Sequence, residues 1–86
     1  MRYKIAKTAR QHKIGNAHIR ASVAGRLPDN ISRELFKGKY VTVIEWKRAI
    51  DDRGLELYIL GRVAVEDPSL IILFHVHPLT LWNRGK

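Results

Sequence analysis

Apolar and polar residues alternate with a period of two through much of the second half of the chain. In the first run the apolar residues fall on even positions: Tyr40, Ile44, Trp46 and Ile50. In the next run they fall on odd positions: Leu55, Leu57, Ile59, Val63 and Val65. A period of two is the repeat of a half-buried β-strand. The pattern therefore predicts two strands, with residues 51–54 (Asp-Asp-Arg-Gly) as the hairpin loop between them.

A third strand is predicted at Leu70–Val76, where apolar residues occupy both faces until His75. This is typical of a strand that is covered on both sides. Pro78 ends it, because proline cannot donate to a ladder hydrogen bond. Residues 39–78 are thus interpreted as a β-meander. The tail 79–86 is compatible with a short strand, a helical turn or a disordered end.

The N-terminal part, residues 1–25, has the spacing of two short helices. Ile5, Ala9 and His12 follow one another at helical intervals, and Gly15 is a typical helix stop. Asn16 then favours the start of a second helix as its N-cap. Residues 26–38 contain two turn signals and are interpreted as a connection.

These segments predict a single α+β domain over residues 1–86, with the element order α-α-β-β-β. Two short N-terminal helices would pack on one face of a three-stranded antiparallel β-meander. The chain has no cysteine, which excludes disulfides and thiolate metal sites. It also lacks an apolar run long enough to span a bilayer or to act as a signal peptide. We therefore expect a soluble, unexported, cytoplasmic protein.

The positive charge is confined to the first half of the chain. Residues 1–39 contain ten lysines and arginines against two acids, a net charge of +8, whereas six bases balance six acids in residues 40–86. A basic segment so poor in acids attracts polyanions, and nucleic-acid phosphates are the commonest of these. The candidate nucleic-acid-binding residues are Lys4, Lys7, Arg10, Lys13, Arg20, Arg26 and Arg33.

His75 and His77 are the sharpest local signal for chemistry. Two residues apart on a strand, they point to the same face. They could act as acid and base near neutral pH, or they could be ordinary histidines at a solvent-exposed strand end. A metal site would need a third ligand. His12 and His18 could each supply one, but they lie six residues apart on helices and do not share a face, so no metal is predicted.

Trp46 and Tyr58 raise the possibility of base stacking on the sheet. The aromatic strand motif of RNA-binding sheets is absent, and Trp46 is in register with Ile44 and Ile50. Packing in the core is therefore the favoured interpretation of these two aromatic residues.

Four short strings of the sequence, taken together, resemble a known family. They are residues 9–15 (ARQHKIG), 18–20 (HIR), 53–57 (RGLEL) and 73–79 (LFHVHPL). They resemble small bacterial proteins near the BrnT-type ribonuclease toxins of type II toxin–antitoxin systems, within the RelE-like group. That resemblance implies a compact α/β fold, RNA cleavage without a metal or other cofactor, and an acidic antitoxin as partner.

The resemblance also implies roles for individual residues. His75 and His77 would be the acid and base, with Lys7, Arg10, Arg20 and Arg33 as phosphate contacts. Two functions thus remain open: a toxin-like endoribonuclease, and a non-enzymatic basic module that binds nucleic acid or an acidic protein. Metal-dependent activity at His75 and His77 is a third, weaker possibility.

Overall fold

Five strands form one mixed sheet in the order β1-β5-β4-β3-β2. The structure, a computed structural model, describes residues 2–10 and 14–79, with only the backbone described at Arg10. Its elements are β1 (Arg2–Ile5), a 3₁₀ turn (Lys7–Arg10), α1 (Asn16–Val23), β2 (Asn30–Phe36), β3 (Lys39–Ile50), β4 (Glu56–Val63) and β5 (Leu70–Pro78). β1 is parallel to β5, and the other neighbouring strands are antiparallel.

The prediction of two N-terminal helices on a three-stranded meander is wrong. The chain begins with a strand, β1, and α1 is the one α-helix in the part of the chain that the structure describes. β1 pairs with the free edge of β5, where the Arg2 amide donates to the Ser69 carbonyl at 3.0 Å. Ile5 and Ala9 are both buried, as the helical spacing suggested, but a strand and a 3₁₀ turn present them to the core.

The segment interpreted as a connection contains the second unexpected strand. β2 forms a hairpin with β3, and the turn signal at Lys37 and Gly38 is the tip of that hairpin. Both residues have positive φ, 49° and 81°, as a two-residue hairpin turn with the twist of the strands requires. Ile31 and Leu35 are four residues apart, a spacing that a helix and a strand both satisfy. The sequence of β2 therefore did not reveal its conformation.

The core lies on one face of the sheet, under α1. Ile19 and Val23 of the helix are fully buried against this face, together with Leu57 and Ile59 of β4. Trp46 is also in the core, 2% exposed, as the register of β3 predicted. Its indole Nε1 donates to the Arg26 carbonyl at 3.2 Å, and Tyr3 packs edge-on against its ring at 6.3 Å. No helix among residues 2–10 and 14–79 is both long enough and apolar enough to cross a membrane.

The β3–β4 loop is organised by the buried carboxylate of Asp51. Its oxygens accept hydrogen bonds from the amides of Arg53 and Leu55, at 2.8 and 3.0 Å, and from the Arg53 guanidinium at 2.7 Å. Burial alone raises the pKa of Asp51, but the hydrogen bonds from Arg53 and Leu55 outweigh this effect and lower the pKa below its ordinary value.

Replacing Asp51 with alanine is expected to lower the free energy of unfolding by about 2 kcal/mol, because the loop amides lose a charged acceptor. Since the folded-state pKa is depressed, this contribution is complete above about pH 4 and is lost as the pH falls through the folded pKa. Urea unfolding of the wild type and Asp51→Ala at pH 7 and pH 3 measures both effects. A difference between the two proteins that does not shrink at pH 3 would contradict this account.

A register shift interrupts the pairing of β4 with β5. Leu60 pairs with His75 and Gly61 pairs with Leu73, so Phe74 has no partner on β4. The bulge lies at Gly61, and glycine inside a strand is typical of such irregularities. A Cβ atom on Gly61 would lie 2.9 Å from Ile71 Cγ2, so only glycine fits this close approach. The shift places Phe74 and His75 together on the face of the sheet opposite α1.

Candidate active site on the open face of the sheet

The two histidines of β5 lie side by side on the face of the sheet opposite α1, which we call the open face. The rings of His75 and His77 are stacked, with centroids 6.0 Å apart and planes inclined by 8°. Their shared orientation confirms the expectation from strand alternation. Both side chains are partly exposed, so a ligand can reach them.

A hydrogen-bonded carboxylate lies two strands away, on β3. Glu45 Oε2 accepts a hydrogen bond from the Tyr58 hydroxyl at 2.5 Å, and Oε1 accepts one from Asn30 Nδ2 at 2.6 Å. These two hydrogen bonds lower the pKa of Glu45, so the carboxylate is ionised at neutral pH. The hydrogen bond to Glu45, with burial as a smaller cause, raises the pKa of Tyr58 to about 12. Tyr58 is therefore a neutral donor whose hydroxyl has a fixed direction.

Tyr58 joins the carboxylate to the histidines. Its ring packs edge-on against His75, with centroids 5.9 Å apart and an interplanar angle of 73°. Tyr58 also pairs with His77 across β4 and β5. Glu45, Tyr58, His75 and His77 thus form one contiguous set of side chains, which we call the histidine cluster. The His75 ring is in contact with two other rings of the cluster, those of Tyr58 and His77.

A groove of about 670 Å³ continues along the open face from the histidine cluster. Glu45 and Tyr58 line its end, and Arg62 lines it farther along β4. Arg62 lies two residues beyond Leu60, the partner of His75, which corresponds to about 6.6 Å along the strand. The Arg62 guanidinium packs over the Phe36 ring at 4.8 Å. The groove therefore contains a cation, packed over an aromatic ring, that lies two residues along β4 from the partner of His75 and four residues from the partner of His77.

No protein-family model, curated protein or solved structure matches this chain. The chemistry of the open face is therefore inferred from its own side chains. It combines two stacked imidazoles, an ionised carboxylate that orients a phenol, and an arginine suited to phosphate.

The basic residues predicted to bind nucleic acid do not form one surface. Lys4 and Lys7 are exposed near the β1 end, Arg20 is exposed on α1, and Arg33 is exposed on β2 at the other end of the sheet. Arg26 is exposed in the loop after α1, where its Nε donates to the Ser22 carbonyl. The side chain of Arg10 and the whole of Lys13 and His12 lie outside the described residues.

His18, one of the histidines considered as a third metal ligand, lies on the opposite side of the sheet from His75. Its Nδ1 lies 2.6 Å from Asp52 Oδ1, on the α1 side of the sheet. His18, Asp51 and Asp52 each bring a possible ligand atom within 4.8 Å of the others. The Asp51 carboxylate already accepts hydrogen bonds from Arg53 and Leu55, so this group serves to hold α1 against the β3–β4 loop.

Sequence reasoning missed Glu45 and Arg62, and it assigned Tyr58 to the core. The available signal was alternation, because Tyr58 and Arg62 occupy even positions between the apolar odd positions of their strand. The link to His75 depends on the bulge at Gly61, which alternation alone cannot place. Glu45 becomes a site residue through its hydrogen bonds with Tyr58 and Asn30, a long-range contact that no local motif encodes.

Replacing Tyr58 with phenylalanine is expected to raise the pKa of Glu45, because the carboxylate loses its strongest hydrogen-bond donor. The side-chain carboxyl ¹³C shift of Glu45, followed by NMR between pH 2 and pH 7, measures the change. Tyr40→Phe is the matched control, since Tyr40 is an exposed tyrosine of the same chain and is not a partner of Glu45 in that network. An unchanged Glu45 titration in Tyr58→Phe would show that the hydrogen bond does not exist in solution.

Proposed function

We propose that this protein is a metal-independent endoribonuclease whose active site is the histidine cluster on the open face. The observation that carries the proposal is the stacked pair of His75 and His77, in which His75 contacts the Tyr58 ring and its partner on β4, Leu60, lies two residues from Arg62. The proposal agrees with the resemblance to BrnT-type toxins, which implies the same two histidines.

Metal-free RNA cleavage needs three kinds of groups. A base removes the proton of the 2′-hydroxyl, which attacks the adjacent phosphorus, and an acid protonates the departing 5′-oxygen. A cation stabilises the negative charge that builds on the phosphate oxygens. The products are a 2′,3′-cyclic phosphate and a free 5′-hydroxyl, and the protons taken and given balance.

The open face supplies each of these groups. One histidine of the pair acts as the base and the other as the acid, since imidazole is available in both proton states near neutral pH. Arg62 is the cation at the groove, where its planar fork can bind two phosphate oxygens. Glu45 does not touch the RNA in this scheme. It is a positioning residue that holds Tyr58 against His75.

The RNA substrate must be single-stranded at the cleavage site. The nucleotide has to lie along the open face of the sheet with its 2′-hydroxyl beside the histidines. Half-buried apolar side chains form the floor of the groove: Val43, Leu60, Ile72 and Phe74. Apolar and aromatic surfaces accept the faces of bases without reading their sequence. The proposal extends to a cytoplasmic location and to an acidic antitoxin as the natural inhibitor.

Incubation of purified protein with a mixed-sequence RNA in excess EDTA tests the proposal. A DNA of the same sequence is the matched control substrate, since it lacks the 2′-hydroxyl. We expect cleavage of the RNA alone. Binding of both nucleic acids without cleavage of either would contradict the proposal and would favour a non-enzymatic basic module. Cleavage that requires added metal would point to metal-dependent chemistry instead.

A further inference from the structure

β2 is the edge strand of the sheet, and its outer edge is unpaired within the described residues. All seven of its residues are exposed. An edge of this kind presents free backbone donors and acceptors, and proteins usually protect it with prolines, bulges or inward-pointing charges. β2 has no proline, and its pairing with β3 is regular from end to end. It is therefore ready to accept a further strand.

The side chains of β2 on the α1 side add an apolar surface to this edge. Ile31 and Leu35 are each 65% exposed, and Arg33 lies between them on the same face. Leu27 and Tyr40, also strongly exposed, lie nearby in the chain at the two ends of the strand. Clustered exposed apolar side chains of this size mark an interaction surface.

The order of these residues selects the partner. On the α1 side of β2 an apolar residue, Ile31, is followed by a basic residue, Arg33, and a second apolar residue, Leu35. A complementary strand therefore places an acidic residue opposite Arg33 and apolar residues opposite Ile31 and Leu35. The β2–β3 hairpin as a whole, residues 30–50, carries more bases than acids: Arg33, Lys37, Lys39, Lys47 and Arg48 against Glu34 and Glu45. The charge of the hairpin thus attracts an acidic segment.

A second copy of this chain is a poorer match. In an antiparallel pair of two β2 strands, the register that sets Ile31 against Leu35 of the other copy also sets Arg33 directly against Arg33. Like charges directly opposite each other destabilise a sheet. Moving the register by one pair in either direction sets Arg33 against Leu35 or against Ile31, so the apolar contacts are lost.

We propose that β2 binds an extended acidic segment of another protein, which adds to the sheet as a sixth strand. Backbone hydrogen bonds along β2 would provide affinity, and the sequence of alternating side chains would provide specificity. The unpaired edge of β2 is separate from His75 and His77, because β3 and β4 lie between β2 and β5, and the contact of Asn30 with Glu45 is on the opposite face from Ile31, Arg33 and Leu35. The failure of RNA cleavage would therefore leave this inference standing.

Two synthetic nine-residue peptides test the inference. The first has valine opposite Ile31 and Leu35, glutamate opposite Arg33, and threonine elsewhere; the second has lysine in place of the glutamate. Titration into ¹⁵N-labelled protein, followed by NMR, reports the binding site and the affinity. We expect shifts and slowed amide exchange along β2, with the glutamate peptide binding about tenfold more tightly.

Charge-reversed variants make the test specific. Arg33→Glu is expected to invert the preference in favour of the lysine peptide. Arg20→Glu makes the same charge change on α1 and is expected to keep the original preference. The inference is overturned if neither peptide shifts β2 at millimolar concentration, if both bind equally, or if the two variants lose the preference alike. A dimer of the wild type in sedimentation at tens of micromolar, abolished by Ile31→Glu and not by Arg20→Glu, would also overturn it in favour of a second copy.

Discussion

Replacing His75 or His77 with alanine is expected to lower the rate of RNA cleavage by about 10²–10⁴-fold, the usual contribution of a positioned acid or base. The two residues act as a unit in the same displacement, one as the base and the other as the acid, so the double variant is expected to be hardly slower than the poorer single variant. Initial rates of cleavage of a fluorescent RNA oligonucleotide, at saturating and subsaturating substrate, measure both effects. The substitutions should lower kcat and leave KM nearly unchanged, because the imidazoles stabilise the transition state and not the bound substrate.

His18→Ala is the matched control for these two variants. It removes the same type of side chain from α1, on the opposite side of the sheet, where His18 contacts Asp52. It is expected to retain full activity. All three variants should keep the amide spectrum of the wild type. Equal activity of the wild type and the His75 and His77 variants would remove the histidine pair from the mechanism, and equal loss in His18→Ala would show that the effect is not local.

The largest loss of stability is expected from replacing Trp46 with alanine, by about 3–5 kcal/mol. The indole is almost fully buried under α1, packs against Tyr3 and donates to the Arg26 carbonyl. Its removal leaves a cavity between the sheet and the loop that follows α1. A domain of this size has a total stability of about 5–15 kcal/mol, so the variant should be close to unfolding. Urea denaturation followed by far-ultraviolet circular dichroism measures the change.

Trp46→Phe is the control, because it keeps an aromatic ring in the core and removes the hydrogen bond to Arg26. It should lose much less stability than Trp46→Ala. A loss below about 1 kcal/mol for the alanine variant would show that Trp46 is not packed in the core.

The sequence was sufficient for those parts of the fold that depend on local alternation. The β3–β4 hairpin, the strand at β5 and the burial of Trp46 follow from a period of two with turn signals between the runs. β1 could not be predicted in the same way, because its partner is β5, at the other end of the chain. Residues 2–5 are too few to show a period, and the helical spacing of Ile5 and Ala9 is satisfied equally by a strand followed by a 3₁₀ turn.

The candidate site also contains residues that local alternation could predict and residues that depend on long-range pairing. His75 and His77 could be predicted because a strand places residues two apart on one face. Tyr58, Glu45 and Arg62 join them through pairing across three strands, and the bulge at Gly61 sets which residues meet. Lys4 and Lys7 do not share a helix face, because Lys4 lies on β1 and Lys7 begins the 3₁₀ turn. Arg62, from the electrically neutral half of the chain, lies two residues along β4 from Leu60, the partner of His75.

The chemical nature of the RNA ends tests the central claim most directly. Wild-type protein and the His75→Ala, His77→Ala double variant are incubated with a defined RNA in EDTA, and the products are identified by mass spectrometry. The account predicts 2′,3′-cyclic phosphate and 5′-hydroxyl ends with the wild type and intact RNA with the double variant. Intact RNA with both proteins, 3′-hydroxyl and 5′-phosphate ends, or the same products from both proteins would contradict it.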